Sequence, residues 1–152
     1  MASATPQTKV TSIEVDPTNR DIALQSIRHA GLEDRVELLL GAGTDILRRI
    51  RKEVEAGRRE TFDFVFVDAD KQNNLNYITD AIPMCRSGAM LIVDNVVREG
   101  KLVDEDMAKA DGRVAGSRQV VEAAGKDPRL ECSLVQTVGE KGYDGMLLCV
   151  VK

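Results

Sequence analysis

The stretch that decides the fold runs from Phe62 to Lys71 and reads FDFVFVDADK. Its first six residues, 62–67, are almost wholly apolar, which is typical of a parallel strand that helices cover on both faces. Its last four residues, 68–71, carry two carboxylates and an amine. Because ligands of such sheets bind where the strands end, residues 68–71 are candidate site residues.

Strand-like and helix-like segments alternate outward from this stretch along the whole chain. The predicted strands are 10–15, 35–40, 62–67, 89–93, 130–138 and 144–151, the last two joined by a turn from Gly139 to Gly142. The predicted helices run from Asp16-Pro17 to Gly31, from Thr44 or Asp45 to Val54, from Asn74 to Arg86 with a kink at Pro83, and over 114–126, and 96–112 is predicted to be a long surface loop. Repeated β-α units predict an α/β fold with a mostly parallel sheet and helices on both faces.

The composition narrows the class of protein. The 152 residues carry a net charge of −4 and only 3% aromatic residues, so the chain lacks the basic surface and stacking rings of nucleic-acid-binding proteins. Its longest apolar runs, about six residues, fall far short of the ~20 that span a bilayer, so we expect no membrane partner. We expect residues 1–9 to form a polar tail without the apolar stretch of a signal peptide, and 10–152 to form one domain.

The cysteines indicate a compartment. Cys85, Cys132 and Cys149 are odd in number, unclustered and without a C-x-x-C pair. Such cysteines are typical of reduced cytoplasmic thiols that pack as small hydrophobes. The sequence therefore predicts a cytoplasmic protein.

Two predicted buried strands end in groups suited to a cation. Asp68 follows one of these strands, and Asp94 and Asn95 follow the other. Two carboxylates and an amide oxygen are hard ligands, of the kind that Mg²⁺ prefers. A cation beside Lys71 would disfavour its protonated form, so this amine could act as a general base. In the alternative reading, Asp70 and Asp94 cap the following segments and Lys71 is exposed to solvent.

Two further strand ends predict contacts to a nucleoside cofactor. Glu14 ends the opening strand, and a carboxylate can accept hydrogen bonds from both ribose hydroxyls. The turn Gly41-Ala42-Gly43-Thr44 begins like a dinucleotide fingerprint, but Ile46 stands where the third glycine should be. Small residues at this turn would still let an adenine ring approach the backbone. Alternatively, Asp16 is only a helix cap and Glu14 a surface residue.

Five motifs occur along the chain in a characteristic order. They are Ile13-Glu14-Val15-Asp16-Pro17, Ala30-Gly31 with Arg35-Val36, Phe62-Asp63 through Val67-Asp68-Ala69-Asp70-Lys71, Asp94-Asn95-Val96-Val97, and Val138-Gly139 to Asp144-Gly145. Together they resemble the cation-dependent small-molecule O-methyltransferases, which include the caffeoyl-CoA and catechol O-methyltransferases. The resemblance extends from Val10 almost to the end of the chain. The combination of D-A-D-K with D-N-V is specific to this family.

The resemblance implies a class I methyltransferase fold, which is Rossmann-like, and S-adenosylmethionine as the methyl donor. Glu14 would then hold the ribose hydroxyls, and Gly41-Ala42-Gly43-Thr44 would frame the adenine. Asp68 and Asp70 would lie beside the cofactor.

The resemblance also assigns the reaction chemistry. Asp68, Asp94 and Asn95 would bind Mg²⁺ or a similar divalent cation. Lys71 would take the proton from a small hydroxylated acceptor, a catechol or a related molecule. A cation that chelates two vicinal oxygens lowers the pKa of the attacking hydroxyl and places it in line with the methyl group. The loop 96–112 would border the acceptor.

The chain departs from the family at its beginning. Family members start with helices, a strand and a glycine-rich turn, whereas this chain starts just before the second strand, so we expect a truncated form. The first strand lies centrally in the family's sheet, between the strands that end at Glu14 and Asp68. Its absence predicts two unpaired strand edges, which favour self-association into a homo-oligomer, and weak cofactor binding.

Three other functions compete with this interpretation. A haloacid-dehalogenase-type phosphatase also places D-x-D after an apolar strand, but Gln72 stands where its motif has Thr or Val. A nicotinamide dehydrogenase fits Glu14 but lacks the glycine fingerprint. A non-catalytic remnant or interaction protein would keep the fold without turnover.

Overall fold

The structure, a computed structural model, describes residues 1–140 and 142–152 and packs as two units. The first unit is Met1–Arg49, and its elements are β1 (Val10–Glu14), α1 (Pro17–His29), β2 (Val36–Leu40) and the first part of α2 (Gly43–Glu55). β1 and β2 pair in parallel, with Glu14 opposite Leu40 at the end of the ladder. Both strands therefore end at the same edge.

Asp16 fixes the start of α1, as the sequence predicts. Its carboxylate accepts hydrogen bonds from the backbone N–H groups of Thr18 at 2.7 Å and Asn19 at 3.1 Å, and Pro17 occupies the first helical position. These bonds satisfy two of the donors that a helix leaves unpaired at its N-terminus. The predicted cap of α2 is wrong, because this helix begins at Gly43, ahead of both Thr44 and Asp45.

The second unit is Ile50–Lys152 and holds a four-stranded mixed sheet in the order β3-β4-β6-β5. Its elements are β3 (Phe62–Val67), α3 (Asn74–Ala81), β4 (Cys85–Val93), α4 (Glu105–Ala110), α5 (Gly112–Lys126), β5 (Leu130–Gly139) and β6 (Gly142–Val151). β3 and β4 are parallel, whereas β6 runs antiparallel to both β4 and β5. Among the described residues β1 pairs only with β2 and β3 only with β4, so each unit has the unpaired strand edge expected from the sequence.

The core of the second unit lies on one face of this sheet. Leu91 and Val93 of β4 and Cys149 of β6 are at most 1% exposed, and α3 and α5 pack against this side. The alternate side chains point to the opposite face, where Phe64 and Phe66 are 40% and 42% exposed. On the core side of β3 only Val67 is buried and Val65 is half-buried, so the burial predicted for 62–67 is wrong for most of the strand.

Two local predictions differ from the structure. The helix predicted from Asn74 to Arg86 stops at Ala81, because Pro83 lies in a short 3-10 helix and the chain then enters β4 at Cys85. The predicted loop 96–112 contains a 3-10 helix and α4. Asp104 starts α4 by accepting hydrogen bonds from two backbone N–H groups at 2.9 and 3.0 Å. The predicted turn from Gly139 to Gly142 includes residue 141, which lies outside the described residues.

The three cysteines are thiols, and two of them are close together. Cys132 and Cys149 face each other across β5 and β6 with their sulfurs 2.8 Å apart, a proximity that strand register creates and the sequence did not indicate. Burial raises the pKa of Cys149, and it raises the pKa of Cys85 to about 11. Both thiols therefore pack as small hydrophobes. In the part of the chain that the structure describes, no helix has the length and apolar character needed to cross a membrane.

The cap of α1 provides a test of the local account. Asp16→Ala removes the acceptor of two N–H groups, so the free energy of unfolding should fall by about 1 kcal/mol in a urea titration followed by circular dichroism. Asp21→Ala serves as the control, since Asp21 is an exposed member of the same helix that pairs with Arg20 at the surface. Equal losses from the two variants would contradict the capping role of Asp16.

Candidate functional site

The parallel pair β3-β4 brings two of the predicted carboxylates to one edge. Val67 lies opposite Val93, so Asp68 and Asp94 each follow the last paired residue of their strand. The N–H of Asp94 donates to the carbonyl of Val67 at 3.0 Å, which ties the two strand ends together. Asn95 comes next, and its N–H donates to Oδ1 of Asp94 at 2.7 Å. The three predicted cation ligands therefore lie at the same edge of the sheet, where β3 and β4 end.

Lys71 lies within reach of this edge. It begins a 3-10 helix, Lys71–Asn73, and its Nζ forms an ion pair with Oδ1 of Asp68 at 2.9 Å. Its side chain is only 11% exposed. The alternative that Lys71 extends freely into solvent is therefore wrong.

Asp70 is held by side chains of the following turn and helix. Its Oδ2 accepts a hydrogen bond from the amide of Asn73 at 2.5 Å, and its Oδ1 accepts one from the hydroxyl of Tyr77. Burial, together with this hydrogen bond, raises the pKa of Tyr77, so the phenol stays a donor. Asp70 occupies the cap position of the 3-10 helix but makes no side-chain capping bond there. Its carboxylate fixes the turn that carries Lys71.

Helix α5 contacts both the segment after β3 and the segment after β4 through two adjacent residues. Gly116 packs so closely on the 3-10 helix that a Cβ in its place would overlap the carbonyl of Lys71. Ser117 is fully buried, and its hydroxyl donates to the carbonyl of Asn95 at 3.5 Å. Sequence reasoning missed both residues. The one available signal was a glycine inside a helical pattern, which often marks a close backbone approach.

The donor chemistry of this edge fits a hard cation. The described residues contain no group of three or more His, Cys, Asp or Glu side chains arranged so that they could hold a metal ion. The predicted set is smaller, with two carboxylates and the amide of Asn95. Each carboxylate uses Oδ1 in the hydrogen bonds above, and no hydrogen bond within the described residues engages Oδ2 of Asp68 or Asp94. Oxygen donors of this kind suit Mg²⁺, which keeps several waters and needs few protein ligands.

A pocket of about 510 Å³ adjoins Asn95. The segment after β4 forms one wall with Arg98 and Lys101, and the β5-β6 hairpin forms the other with Thr137 and Tyr143. Its lining is partly polar. The pocket therefore places a space for a small molecule directly beside a predicted cation ligand.

The predicted cofactor residues of the first unit meet at their own strand edge. The N–H of Gly41 donates to the carbonyl of Glu14 at 2.9 Å, so the ends of β1 and β2 are joined. Oε1 of Glu14 accepts from the N–H of Asp16 at 2.8 Å, and the residue is half-buried rather than a free surface carboxylate. The capping role of Asp16 and a binding role of Glu14 are compatible, since Glu14 has a second oxygen.

The turn after β2 has the small residues that the sequence predicts. Gly41 has a φ of +150°, and a Cβ there would lie 3.1 Å from Cδ1 of Ile46, so both conformation and space favour glycine. The carbonyl of Ala42 accepts the first bonds of α2, whose first two residues are Gly43 and Thr44. The predicted site residues thus form two groups, one in each unit.

Comparisons with known proteins identify the family to which the chain is similar. The model of the O-methyltransferase family matches residues 1–152. The chain is 47% identical to the O-methyltransferase imqG of Aspergillus flavus over 152 residues and 38% identical to a catechol O-methyltransferase of Mycobacterium tuberculosis over 149 residues. These alignments cover 100% and 98% of this chain, but 62% and 63% of the two relatives. The chain therefore spans a little under two thirds of their length.

Solved structures with the same fold include methyltransferases with bound cofactor. An O-methyltransferase from Bacillus cereus in complex with SAH has a TM-score of 0.85 at 43% identity, over 95% of this chain and 63% of that one. The O-methyltransferase TomG from Streptomyces achromogenes, in complex with SAM, has a TM-score of 0.90 at 34% identity, over 99% and 66%. The α/β fold expected from the sequence is confirmed as that of the class I methyltransferases.

The close approach of Gly116 generates a prediction for the position of Lys71. Gly116→Ala should push the 3-10 helix away from α5 and lower the thermal midpoint of unfolding by several degrees, since the new methyl group has no room. Gly125→Ala is a matched control, because a Cβ at that position of the same helix meets nothing within 4 Å. The two melting curves, recorded by circular dichroism, check the prediction. An unchanged midpoint for Gly116→Ala would contradict the packing.

Proposed function

Because this chain belongs to the O-methyltransferase family, we propose that it transfers the methyl group of S-adenosylmethionine to a hydroxyl of a small acceptor with the help of a divalent cation. One observation carries the proposal: Lys71 lies 2.9 Å from Asp68 at the strand edge that Asp94 and Asn95 share. An amine, two carboxylates and an amide at one edge are the groups that cation-assisted proton removal requires. The named relatives point to a catechol or a similar hydroxylated molecule as the acceptor.

The cofactor is the proposed ligand of Glu14 and of the turn Gly41-Ala42-Gly43-Thr44. Oε2 of Glu14 would accept hydrogen bonds from the ribose hydroxyls, since Oε1 is already bonded to the N–H of Asp16. The small residues of the turn would admit the adenine ring. Asp68 and Asp70 would lie beside the cofactor, with Asp70 acting through the turn that it holds. Bound SAH and SAM in the Bacillus and Streptomyces structures support this choice of cofactor.

Asp68, Asp94 and Asn95 would hold Mg²⁺ or a similar divalent cation. When bound, such a cation stabilises the ionised hydroxyl of the acceptor and fixes its orientation. Asp68 then has two competing partners, the cation and the ammonium of Lys71. Nζ of Lys71, 2.9 Å from Asp68, is the group that would accept the hydroxyl proton. S-adenosylmethionine, when bound, would supply the methyl group for the acceptor oxygen and would be released as S-adenosylhomocysteine.

The remaining features of the proposal concern the whole protein. The three free thiols support a cytoplasmic location. The strand edges of β1 and β3, each with one partner strand among the described residues, support self-association into a homo-oligomer. The segment after β4 and the pocket beside Asn95 would receive the acceptor.

The ion pair of Lys71 supplies a direct test with a matched control. Lys71→Met should lower the rate of methyl transfer from S-adenosylmethionine to catechol by about 10² to 10⁴, the usual contribution of a general base. Lys109→Met is the matched control, because Lys109 also forms an ion pair at 2.9 Å with an aspartate three residues earlier, Asp106. This second ion pair lies at the surface. That variant should keep the wild-type rate.

The assay is run with Mg²⁺ and with EDTA, and product is quantified by mass spectrometry. Loss of transfer in EDTA would support the role of the cation. A folded wild-type protein that transfers no methyl group under either condition would favour the non-catalytic alternative. Equal rates for Lys71→Met and Lys109→Met would exclude Lys71 as the base.

A further inference from the structure

The segment after β4, residues 95–100, has an unusual backbone. Asn95, Arg98 and Glu99 have φ values of +56°, +52° and +57°, and Gly100 follows at +82°. Non-glycine residues rarely adopt this left-handed region, so the consecutive residues Arg98 and Glu99 are strained, whereas Gly100 adopts it without cost. Such strain persists only where surrounding contacts hold the segment in place. This segment also carries a predicted cation ligand and one wall of the pocket.

The start of β6 supplies those contacts. The carbonyl of Gly145 accepts from the N–H of Val96 at 3.0 Å, and the carbonyl of Tyr143 accepts from the N–H of Glu99 at 3.1 Å. A residue of any type would provide these two acceptors. The N–H of Arg98, in contrast, donates to a side chain, Oδ1 of Asp144, at 2.8 Å.

Asp144 is well placed to hold this segment. The same Oδ1 accepts from the N–H of Gly145 at 2.8 Å, which fixes the carboxylate on β6. The residue is half-buried, so solvent competes weakly for it, and a bond to an ionised acceptor is stronger than a neutral one. Val96 and Val97, which connect Asn95 to Arg98 in sequence, are buried at 0% and 7% exposure. A displacement at Arg98 would therefore be transmitted to Asn95.

We propose that Asp144 is a positioning residue, which holds the left-handed turn at Arg98–Gly100 and thereby fixes Asn95 and the adjoining wall of the pocket. This gives a role to the Asp144-Gly145 motif that the sequence singled out. The consequence for cation binding rests on the proposed function, but the mechanical role does not. Asp144 also lines the pocket beside Asn95, but the role proposed for it is to hold the turn.

Amide hydrogen exchange of the full chain tests the mechanical role. Asp144→Ala should raise the exchange rate of the Arg98 amide at least tenfold, and Asp144→Asn, which keeps an oxygen acceptor, should restore most of the protection. Asp127→Ala is the matched control. Oδ1 of Asp127 also accepts from a backbone N–H two residues later, that of Arg129 at 2.9 Å, but this bond lies after the C-terminal end of α5. Its removal should leave the exchange of residues 95–100 unchanged. Unchanged protection of Arg98 in Asp144→Ala would overturn the proposal.

If the Asp144→Ala variant does not fold, Asp144→Asn still tests the proposal. In that case Asp144→Asn should raise exchange by about twofold at residues 96–100 alone, since a neutral acceptor bonds about half as strongly as a carboxylate. An increase spread evenly over the chain, or none at all, would overturn the proposal. The exchange rates of Asp127→Ala show how much a general loss of stability raises exchange across the chain.

Binding of Mn²⁺, measured by electron paramagnetic resonance, tests the consequence for Asn95. Asp144→Ala should weaken binding about tenfold, the usual effect of removing a group that orients a ligand, and Asp127→Ala should not. Equal affinity in wild type and Asp144→Ala would overturn the positioning of Asn95 while leaving the proposed function intact. Absence of Mn²⁺ binding by the wild type would instead contradict the proposed function, and the exchange experiment would still decide whether Asp144 holds the turn.

Discussion

The parallel pairing of β3 with β4 is the constraint on which the candidate site depends. It places Asp68 and Asp94 side by side because both strands end at the same edge, with Val67 opposite Val93. Helix α5 contacts the backbone on both sides of this edge, at Lys71 through Gly116 and at Asn95 through Ser117. A change in any of these contacts would alter the distances among the groups of the candidate site.

The charges of Lys71 and Asp68 compensate each other where β3 ends. Lys71 is nearly buried, and an ammonium without a partner would be costly there, so the ion pair with Asp68 stabilises it. The same pair gives Asp68 a second possible partner if a cation binds. In the proposed function, Asp68 therefore connects the cation with Lys71, because both would use the same carboxylate.

Much of the fold was predictable because local signals agree with the tertiary structure. The capping of α1 by Asp16 and the bounds of β3 follow from residue types alone. The family motifs predicted the class I methyltransferase fold. The end of α3 and the order within 96–112 were missed, because Pro83 and Asp104 act through single backbone positions that a periodicity argument does not resolve. The contact between Cys132 and Cys149 depends on strand register, which no short motif specifies.

The candidate site divides in the same way. The candidate groups lie at strand ends, where the sequence alone points to them, whereas Gly116, Ser117 and Asp144 contact the backbone of segments distant from them in sequence. The most direct test of the central claim is anomalous diffraction from crystals of the full chain soaked in Mn²⁺. The account predicts one strong peak within coordination distance of Asp68, Asp94 and Asn95. A peak elsewhere, or none at this edge, would contradict it.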